Sequence, residues 1–105
     1  MLEIQGKDKF NEMINTNKRV FIDFFAPWCW PCQALTPTLE SISSMNEFKD
    51  IVFIKVNVDE NQDIAQELWI MWIPQMYLYI DWKMKVNMSW NRPIDAIIKM
   101  LREEK

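Results

Sequence analysis

Apolar and polar residues follow one another along this chain in segments that have the periods of strands and helices. Runs rich in apolar and β-branched residues predict strands over 2–5, 19–25, 51–58, 76–80 and 83–88. Apolar residues spaced three and four apart predict helices over 7–17, 32–48, 59–68 and 93–102. Pro93 is expected in the first turn of the last helix, where its missing N–H has no helical partner.

The order of these segments predicts an α/β fold. Strands and helices alternate through the first half of the chain, and two strands and a helix end it. The run over 19–25 is almost continuously apolar, which is typical of a strand covered on both faces. We therefore expect a mixed central sheet sandwiched by about four helices. A chain of 105 residues is expected to form one domain, over 1–105.

Composition excludes several classes of protein. No apolar run reaches the roughly 20 residues of a membrane span. The net charge is −3 and the sequence has no basic cluster, which argues against nucleic acid and anionic membrane as main partners. The first residues lack the pattern of a signal peptide. We therefore expect a cytoplasmic protein.

The chain has two cysteines, Cys29 and Cys32, and no histidine. A structural disulfide is unusual in a reducing compartment. A closed zinc site needs four nitrogen or sulfur ligands, so only two chains sharing ligands could complete a metal or iron–sulfur site. By elimination, a reversible dithiol/disulfide pair is the leading interpretation, and no bound cofactor is expected.

The predicted elements give this pair a chemical setting. Cys29 lies at the N-terminus of a helix that follows a buried strand, where free N–H groups and the helix dipole favour a thiolate. Cys32 lies one turn further, close enough to form a disulfide, and Pro31 stiffens the loop between them. A C-x-x-C beside a βαβ pattern is a redox signal, with chance spacing as the alternative.

Three stretches, "FIDFFAPWCWPCQALTP", "IKVNVDEN" and "WIPQ", together resemble the thioredoxin family, whose usual motif is WCGPC. The resemblance covers nearly the whole chain in the same order. It implies the thioredoxin fold and thiol–disulfide exchange, with Cys29 as the attacking nucleophile and Cys32 as the resolving thiol. It also implies disulfide-bonded protein substrates, a flavin-dependent thioredoxin reductase as the electron donor and a monomer.

The resemblance also gives roles to two charged residues. Asp23 lies inside an apolar run, where burial would raise its pKa and suit it to take a proton near neutral pH. By resemblance it lies behind the active site and helps to deprotonate Cys32; a surface aspartate at a strand edge is the alternative. Lys55 matches a lysine that modulates this carboxyl, and a surface lysine is the alternative.

The "WIPQ" stretch matches the substrate-binding loop of the family. Pro74 matches a proline that follows a cis peptide bond and packs against the dithiol, and a trans loop proline is the alternative. The backbone before it pairs with the substrate in the family, which points to Ile73, with Trp72 and Trp28 beside it. Gln75 departs from the threonine that is usual after this proline.

Tryptophan and glycine have unusual frequencies. The chain has six tryptophans and one glycine, whereas about 7% glycine is average. Trp28 matches a tryptophan of the family, but the other five match positions where thioredoxins usually have glycine: Trp30, Trp69, Trp72, Trp82 and Trp90. Backbone geometry also favours glycine at two of them. Position 69 follows a helix, where a left-handed residue is common, and 81–82 join two strands in a tight turn.

Three explanations of the five tryptophans are open. They form a sticky natural binding face, or they are engineered, or UGA codons that the source organism reads as glycine have been translated as tryptophan. The third explains why each extra tryptophan falls on a glycine position. Trp30 and Pro31, between the cysteines, would also tune the reduction potential of the pair.

Two other functions remain open for this fold. A disulfide oxidase or isomerase would use the same chemistry at a higher reduction potential. A binding module would hold a partner whatever its redox state, and would keep its function with serine in place of both cysteines. The leading prediction is a general protein-disulfide reductase that uses Cys29 and Cys32.

Overall fold

The computed structural model describes all residues, 1–105, and contains five strands and four α-helices. In chain order these are β1 (Leu2–Glu3), α1 (Lys7–Thr16), β2 (Arg19–Phe25), α2 (Trp30–Ser43), β3 (Val52–Asn57), α3 (Gln62–Glu67), β4 (Gln75–Ile80), β5 (Lys83–Ser89) and α4 (Ile94–Glu103). None of the helices is both long and apolar enough to cross a membrane. Every predicted element is present, and the differences lie at element ends.

The predicted helix over 32–48 is wrong at both ends. α2 begins at Trp30, with Cys29 as its N-cap and Pro31 in its first turn. It ends at Ser43 because the hydroxyls of Ser43 and Ser44 both donate to the Glu40 carbonyl oxygen and compete with the helical pattern. Residues Asn46–Phe48 form a separate 3₁₀ turn.

Pro93 also differs from its prediction. It is the N-cap of α4, with the extended dihedrals φ −58° and ψ 147°, and it does not lie inside the first turn. The helix begins one residue later, at Ile94. The predicted apolar side of this helix is present, and Ile97 and Leu101 are buried.

The sheet is mixed, with the strand order β1-β3-β2-β4-β5. β1, β3 and β2 are parallel, whereas β4 pairs antiparallel with both β2 and β5. The central strand β2 is thus bonded along both edges. Its continuous apolar run follows from this position, because helices cover both faces of the sheet.

Alternation along the strands divides the core into two layers. On one face of the sheet, α2 and α4 pack on three strands, and helices and strands together contribute this layer: Phe21, Leu35, Leu39, Phe53, Leu78, Ile97 and Leu101. On the other face, α1 and α3 pack on a second set: Phe10, Ile14, Val20, Ile22, Phe24, Ile54 and Ile64. Because Phe21 faces α2, Asp23 two residues later lies on the same side of β2.

A buried arginine ties the C-terminus to the sheet. The Arg19 guanidinium donates to the backbone oxygens of Leu101 and Glu104, both at 2.8 Å, and pairs with Asp50 at 3.2 Å. These contacts occupy the carbonyl groups at the end of α4, which have no partner within the helix. Arg19 therefore fixes α4 against the start of β2.

We predict that Arg19→Met lowers the free energy of unfolding by about 2–3 kcal/mol, because it leaves buried carbonyl groups without a donor. Arg102 is the matched control, since its ion pair with Glu47 is largely exposed. Arg102→Met should shift the urea midpoint little. Equal shifts for the two variants would contradict the anchoring role of Arg19.

Candidate active site

The two cysteines lie where β2 passes into α2. Cys29 is the N-cap of α2, and its sulfur accepts a hydrogen bond from the backbone N–H of Cys32 at 3.3 Å. The two sulfurs are joined in a disulfide, with the Cα atoms 5.3 Å apart. The predicted pairing is thus present, and the pair is in its oxidised form.

The disulfide has an apolar surround. Cys29 and Cys32 are 4% and 2% exposed, and they form a small cluster with Ala26. Phe25, Val58 and Ile73 pack on the edge of this cluster. The sulfurs are therefore shielded from water on the protein side, and the backbone of the first turn is their nearest polar group.

The loop before β4 brings a second chain segment to the cysteines. The Ile73–Pro74 peptide bond is cis, which confirms the expectation from the sequence and excludes a trans proline. The Ile73 carbonyl oxygen lies 3.9 Å from the Cys29 sulfur. Neither the N–H nor the carbonyl group of Ile73 bonds to the rest of the backbone, so both are available to another chain.

Gln75, the departure from the family pattern, points away from this loop. Its side chain is buried, and its Oε1 accepts a hydrogen bond from the Ser89 hydroxyl at 2.9 Å. The same hydroxyl accepts from the Trp72 indole at 3.3 Å. Gln75 therefore ties β4 to β5, which sequence reasoning did not predict.

Asp23 is buried in the sheet and lies on the face covered by α2. It is 2% exposed, and its Oδ1 has no hydrogen-bond partner, so the surface aspartate is excluded. Burial raises the pKa of Asp23 to about 7, and the positive charge of Lys55 acts in the opposite direction. Near neutral pH this carboxyl is therefore able both to take and to release a proton.

Lys55 is the β3 partner of Asp23 in the sheet register. Its ammonium group lies 5.1 Å from the centre of the Phe25 ring, in a cation–π arrangement. It makes no ion pair within 4 Å, so its effect on Asp23 acts through charge at a distance. The side chain is half-buried, and its role toward Asp23 stays a prediction.

Three tryptophans surround the disulfide, and they differ in their contacts. The Trp28 indole donates to the carboxylate of Asp59 at 2.8 Å, although the side chain is 71% exposed. Trp72 bonds to Ser89, whereas the Trp30 indole has no hydrogen-bond partner. Asp59 was missed from the sequence; its place just after β3, at the same sheet edge as Cys29, is the signal that would have found it.

An apolar cavity of about 340 Å³ opens beside Cys29. All of its lining residues are hydrophobic: Trp28, Val58, Ile70, Met71, Trp72 and Ile73. Sequence reasoning found three of them and missed Val58, Ile70 and Met71, which come from the two loops on either side of α3. No group of three or more His, Cys, Asp and Glu side chains is arranged to hold a metal ion.

Comparison with known proteins agrees with this geometry. A family profile described as Thioredoxin matches residues 2–103. Thioredoxin of Mycoplasmoides gallisepticum is 38% identical over 80% of this chain and 82% of its own. Protein disulfide isomerase-like 1-3 of Arabidopsis thaliana is 33% identical over 93% of this chain, but the chain spans only 17% of that protein.

Solved structures extend the likeness to the fold. The structure of Plasmodium falciparum thioredoxin superposes with a TM-score of 0.91 at 26% identity and covers 100% of both chains. The five-stranded mixed sheet with four helices is therefore the thioredoxin fold, as the resemblance implied. The chain belongs to the thioredoxin family, and its redox-active Cys29–Cys32 pair makes it a protein-disulfide reductase of the thioredoxin type.

Proposed function

We propose that Cys29 attacks disulfides in other proteins and that Cys32 resolves the mixed disulfide that forms. The N-cap position of Cys29 carries this proposal. The backbone N–H of Cys32 lies 3.3 Å from the Cys29 sulfur. In the reduced protein the same N–H and the positive end of the α2 dipole stabilise a thiolate on Cys29, and a thiolate is the form that attacks.

The exchange proceeds in two steps. The Cys29 thiolate attacks one sulfur of the substrate disulfide, the substrate S–S bond breaks, and the other substrate sulfur leaves as a thiolate. The Cys32 thiolate then attacks the Cys29 sulfur and releases the remaining substrate sulfur. Two electrons and the two thiol protons pass to the substrate, and the Cys29–Cys32 disulfide of the structure is the product.

The second step needs an acceptor for the Cys32 proton, and we assign this role to Asp23. The carboxyl is buried on the α2 side of β2, its Oδ1 is without a partner, and its pKa is about 7. These properties suit a general base near neutral pH. A water molecule between the two groups is the expected route for the proton, and Lys55 moderates the pKa through its charge.

The substrate chain is expected to lie against the loop before β4. The free N–H and carbonyl groups of Ile73 offer hydrogen bonds to an extended peptide, as an exposed strand edge does. The Ile73 carbonyl oxygen lies 3.9 Å from the Cys29 sulfur, which supports this position of the substrate chain. Trp28, Val58 and Ile73 line the apolar cavity, which would receive a hydrophobic side chain next to the substrate cysteine.

Family membership implies disulfide-bonded substrates and a thioredoxin reductase as partners. We propose that this reductase is flavin-dependent and that the protein works in the cytoplasm, where thiols are kept reduced. We also propose a monomer that needs no bound cofactor, since the dithiol itself carries the two electrons. Strands from both halves of the chain share one sheet, which supports a single domain over 1–105.

We predict that Cys32→Ser accumulates covalent complexes with substrate proteins, because the mixed disulfide on Cys29 then has no resolving thiol. Non-reducing electrophoresis, with and without a reductant, measures these complexes. Cys29→Ser is the matched control and should trap far less. Equal trapping by the two variants would contradict the assignment of Cys29 as the attacking thiol.

The double variant Cys29→Ser/Cys32→Ser separates the reductase from a redox-independent binding module. In an insulin-disulfide reduction assay with reductase or dithiothreitol as the electron donor, it should be inactive. A binding module would instead keep its biological function in this variant. Retained biological function in the double variant would contradict the proposed exchange reaction and favour partner binding as the function.

We predict that Asp23→Asn changes the pH dependence of stability. The pKa of Asp23 is about 7 in the folded protein and about 3.9 in an unfolded chain, so the folded state holds an extra proton between these values. Parent stability therefore falls as pH rises from 4 to 7, and the variant lacks this fall. The free energy of unfolding of the variant, relative to that of the parent, should therefore increase by roughly 2–4 kcal/mol from pH 4 to pH 8.

The same variant tests catalysis. Loss of the base should slow release of the mixed disulfide at pH 7 roughly 10- to 100-fold and flatten the pH profile near 7. Asp8→Asn, at an exposed carboxylate on α1, is the control and should match the parent in both assays. If Asp23→Asn changed the pH dependence of stability but not the pH dependence of the rate, Asp23 would be a buried acid without a catalytic role.

A further inference from the structure

Five tryptophans stand outside the cores of the protein. Their side chains are between 57% and 81% exposed, and none belongs to or packs against a core cluster: Trp30, Trp69, Trp72, Trp82 and Trp90. Tryptophan is highly buried on average in folded proteins. Only one of the five indoles, that of Trp72, makes a hydrogen bond. The sheet and the helices would be unchanged without these side chains.

The backbone at position 69 has a conformation that favours glycine. Trp69 follows the end of α3 with φ 55°. Its N–H donates to the Gln66 carbonyl at 3.2 Å, and the N–H of Ile70 donates to the Ala65 carbonyl at 2.9 Å. These two bonds form a Schellman motif, in which the residue at position 69 is left-handed and is usually glycine.

Position 82 belongs to the two-residue turn between β4 and β5. Asp81 and Trp82 have φ 51° and 71°, as a type I′ hairpin turn requires of both central residues. Aspartate tolerates positive φ through its short polar side chain, and the usual partner after it is glycine. A bulky aromatic residue at positive φ is an outlier.

Position 90 repeats this geometry near the disulfide. Trp90 comes directly after β5 with φ 69°, and its N–H donates to the carbonyl oxygen of Pro74 at 2.9 Å. Position 90 is thus held against the loop that carries Ile73. Of the four non-glycine residues with positive φ in this protein, three are tryptophans and the fourth is Asp81.

Positions 30 and 72 have ordinary φ values, and space at the active site is the issue there. Trp30 lies between the two cysteines, with an indole that bonds to nothing. Trp72 precedes Ile73, whose N–H and carbonyl groups have no backbone partner. A large side chain at either position stands where an approaching polypeptide backbone has to come close to the Cys29 sulfur.

We propose that residues 30, 69, 72, 82 and 90 are glycine in the protein made by its native host. Their common cause is a UGA codon that the host reads as glycine, whereas Trp28, which bonds to Asp59, has UGG. The change leaves one tryptophan and six glycines, close to average glycine usage. The working motif is then Cys-Gly-Pro-Cys.

The functional part of this inference rests on the proposed exchange reaction. Glycine at 30, 72 and 90 removes three indoles from the face that holds Cys29 and the Ile73 backbone. A protein substrate then reaches the sulfur with its backbone in hydrogen-bond contact, which suits a reductase of many unrelated proteins. With tryptophan at these three positions, the protein would reduce only substrates that fit between the indoles.

The gene and the native protein test the assignment independently of activity. We expect UGA at all five positions and UGG at position 28. Intact mass spectrometry of protein purified from the host should give a mass below 12.7 kDa by five tryptophan-to-glycine differences. A UGG codon at any of the five positions, or a mass that requires six tryptophans, would overturn the proposal.

Recombinant variants test the physical argument. Trp69→Gly/Trp82→Gly/Trp90→Gly should raise Tm by roughly 10 °C, because glycine adopts the left-handed conformation of these three turns without the steric cost of a side chain. Trp30→Gly/Trp72→Gly is the control and should give no such rise, since these positions have ordinary φ values. No rise in the triple variant would refute the conformational argument. A cooperative melting transition in the triple variant, but not in the parent or the control variant, would support the argument.

The insulin assay completes the test. The protein with glycine at all five positions should reduce insulin disulfides several-fold faster than the six-tryptophan protein. Equal rates would refute the opening of the active-site face while leaving the codon and mass results to decide the identity of the residues. Inactivity of both proteins would count against the exchange reaction itself.

Discussion

The chemistry of this protein depends on one backbone N–H group. The first turn of α2 leaves its amide groups without helical partners, and the Cys29 sulfur accepts the one from Cys32. In the proposed reaction, the same contact that caps the helix in the oxidised protein stabilises negative charge on the sulfur after reduction. Because capping and activation are one interaction, the helix start cannot shift without changing the reactivity of the thiol.

The sheet beneath this turn contributes the second polar element. Alternation along β2 turns Val20, Ile22 and Phe24 toward α1 and α3, and it leaves Asp23 on the side of the dithiol. A lone carboxyl in such a place destabilises the fold above its raised pKa. Apolar packing on both faces of the sheet compensates for this loss. The protein thus accepts a weakened core at the point where the proposed exchange needs a proton acceptor.

The turns that contain tryptophan follow a different rule. The Schellman motif at 69, the hairpin at 81–82 and the turn at 90 are set by backbone hydrogen bonds, and they require positive φ whatever side chain is present. Residue identity at these places is therefore constrained by conformation, in contrast to the core, where volume decides. Near Cys29 a second requirement is added to backbone conformation, because a substrate needs open space there. Both requirements favour a residue without a side chain.

The sequence by itself determined the element types, the mixed α/β architecture and the dithiol, because these depend on local periodicity and on the spacing of two residues. It also indicated the burial of Asp23 from the apolar run around it. It failed at the end of α2, since the apolar spacing continues to Phe48 although Ser43 and Ser44 stop the helix. The resemblance implied that the Ile73 loop lies against the dithiol and that Lys55 acts on Asp23. Only the tertiary structure gave the contact of Ile73 with the Cys29 sulfur, the register of Lys55 with Asp23 and the place of Val58 in the cavity wall. These contacts join residues far apart in the chain, and their geometry comes from strand order and register, which no local pattern specifies.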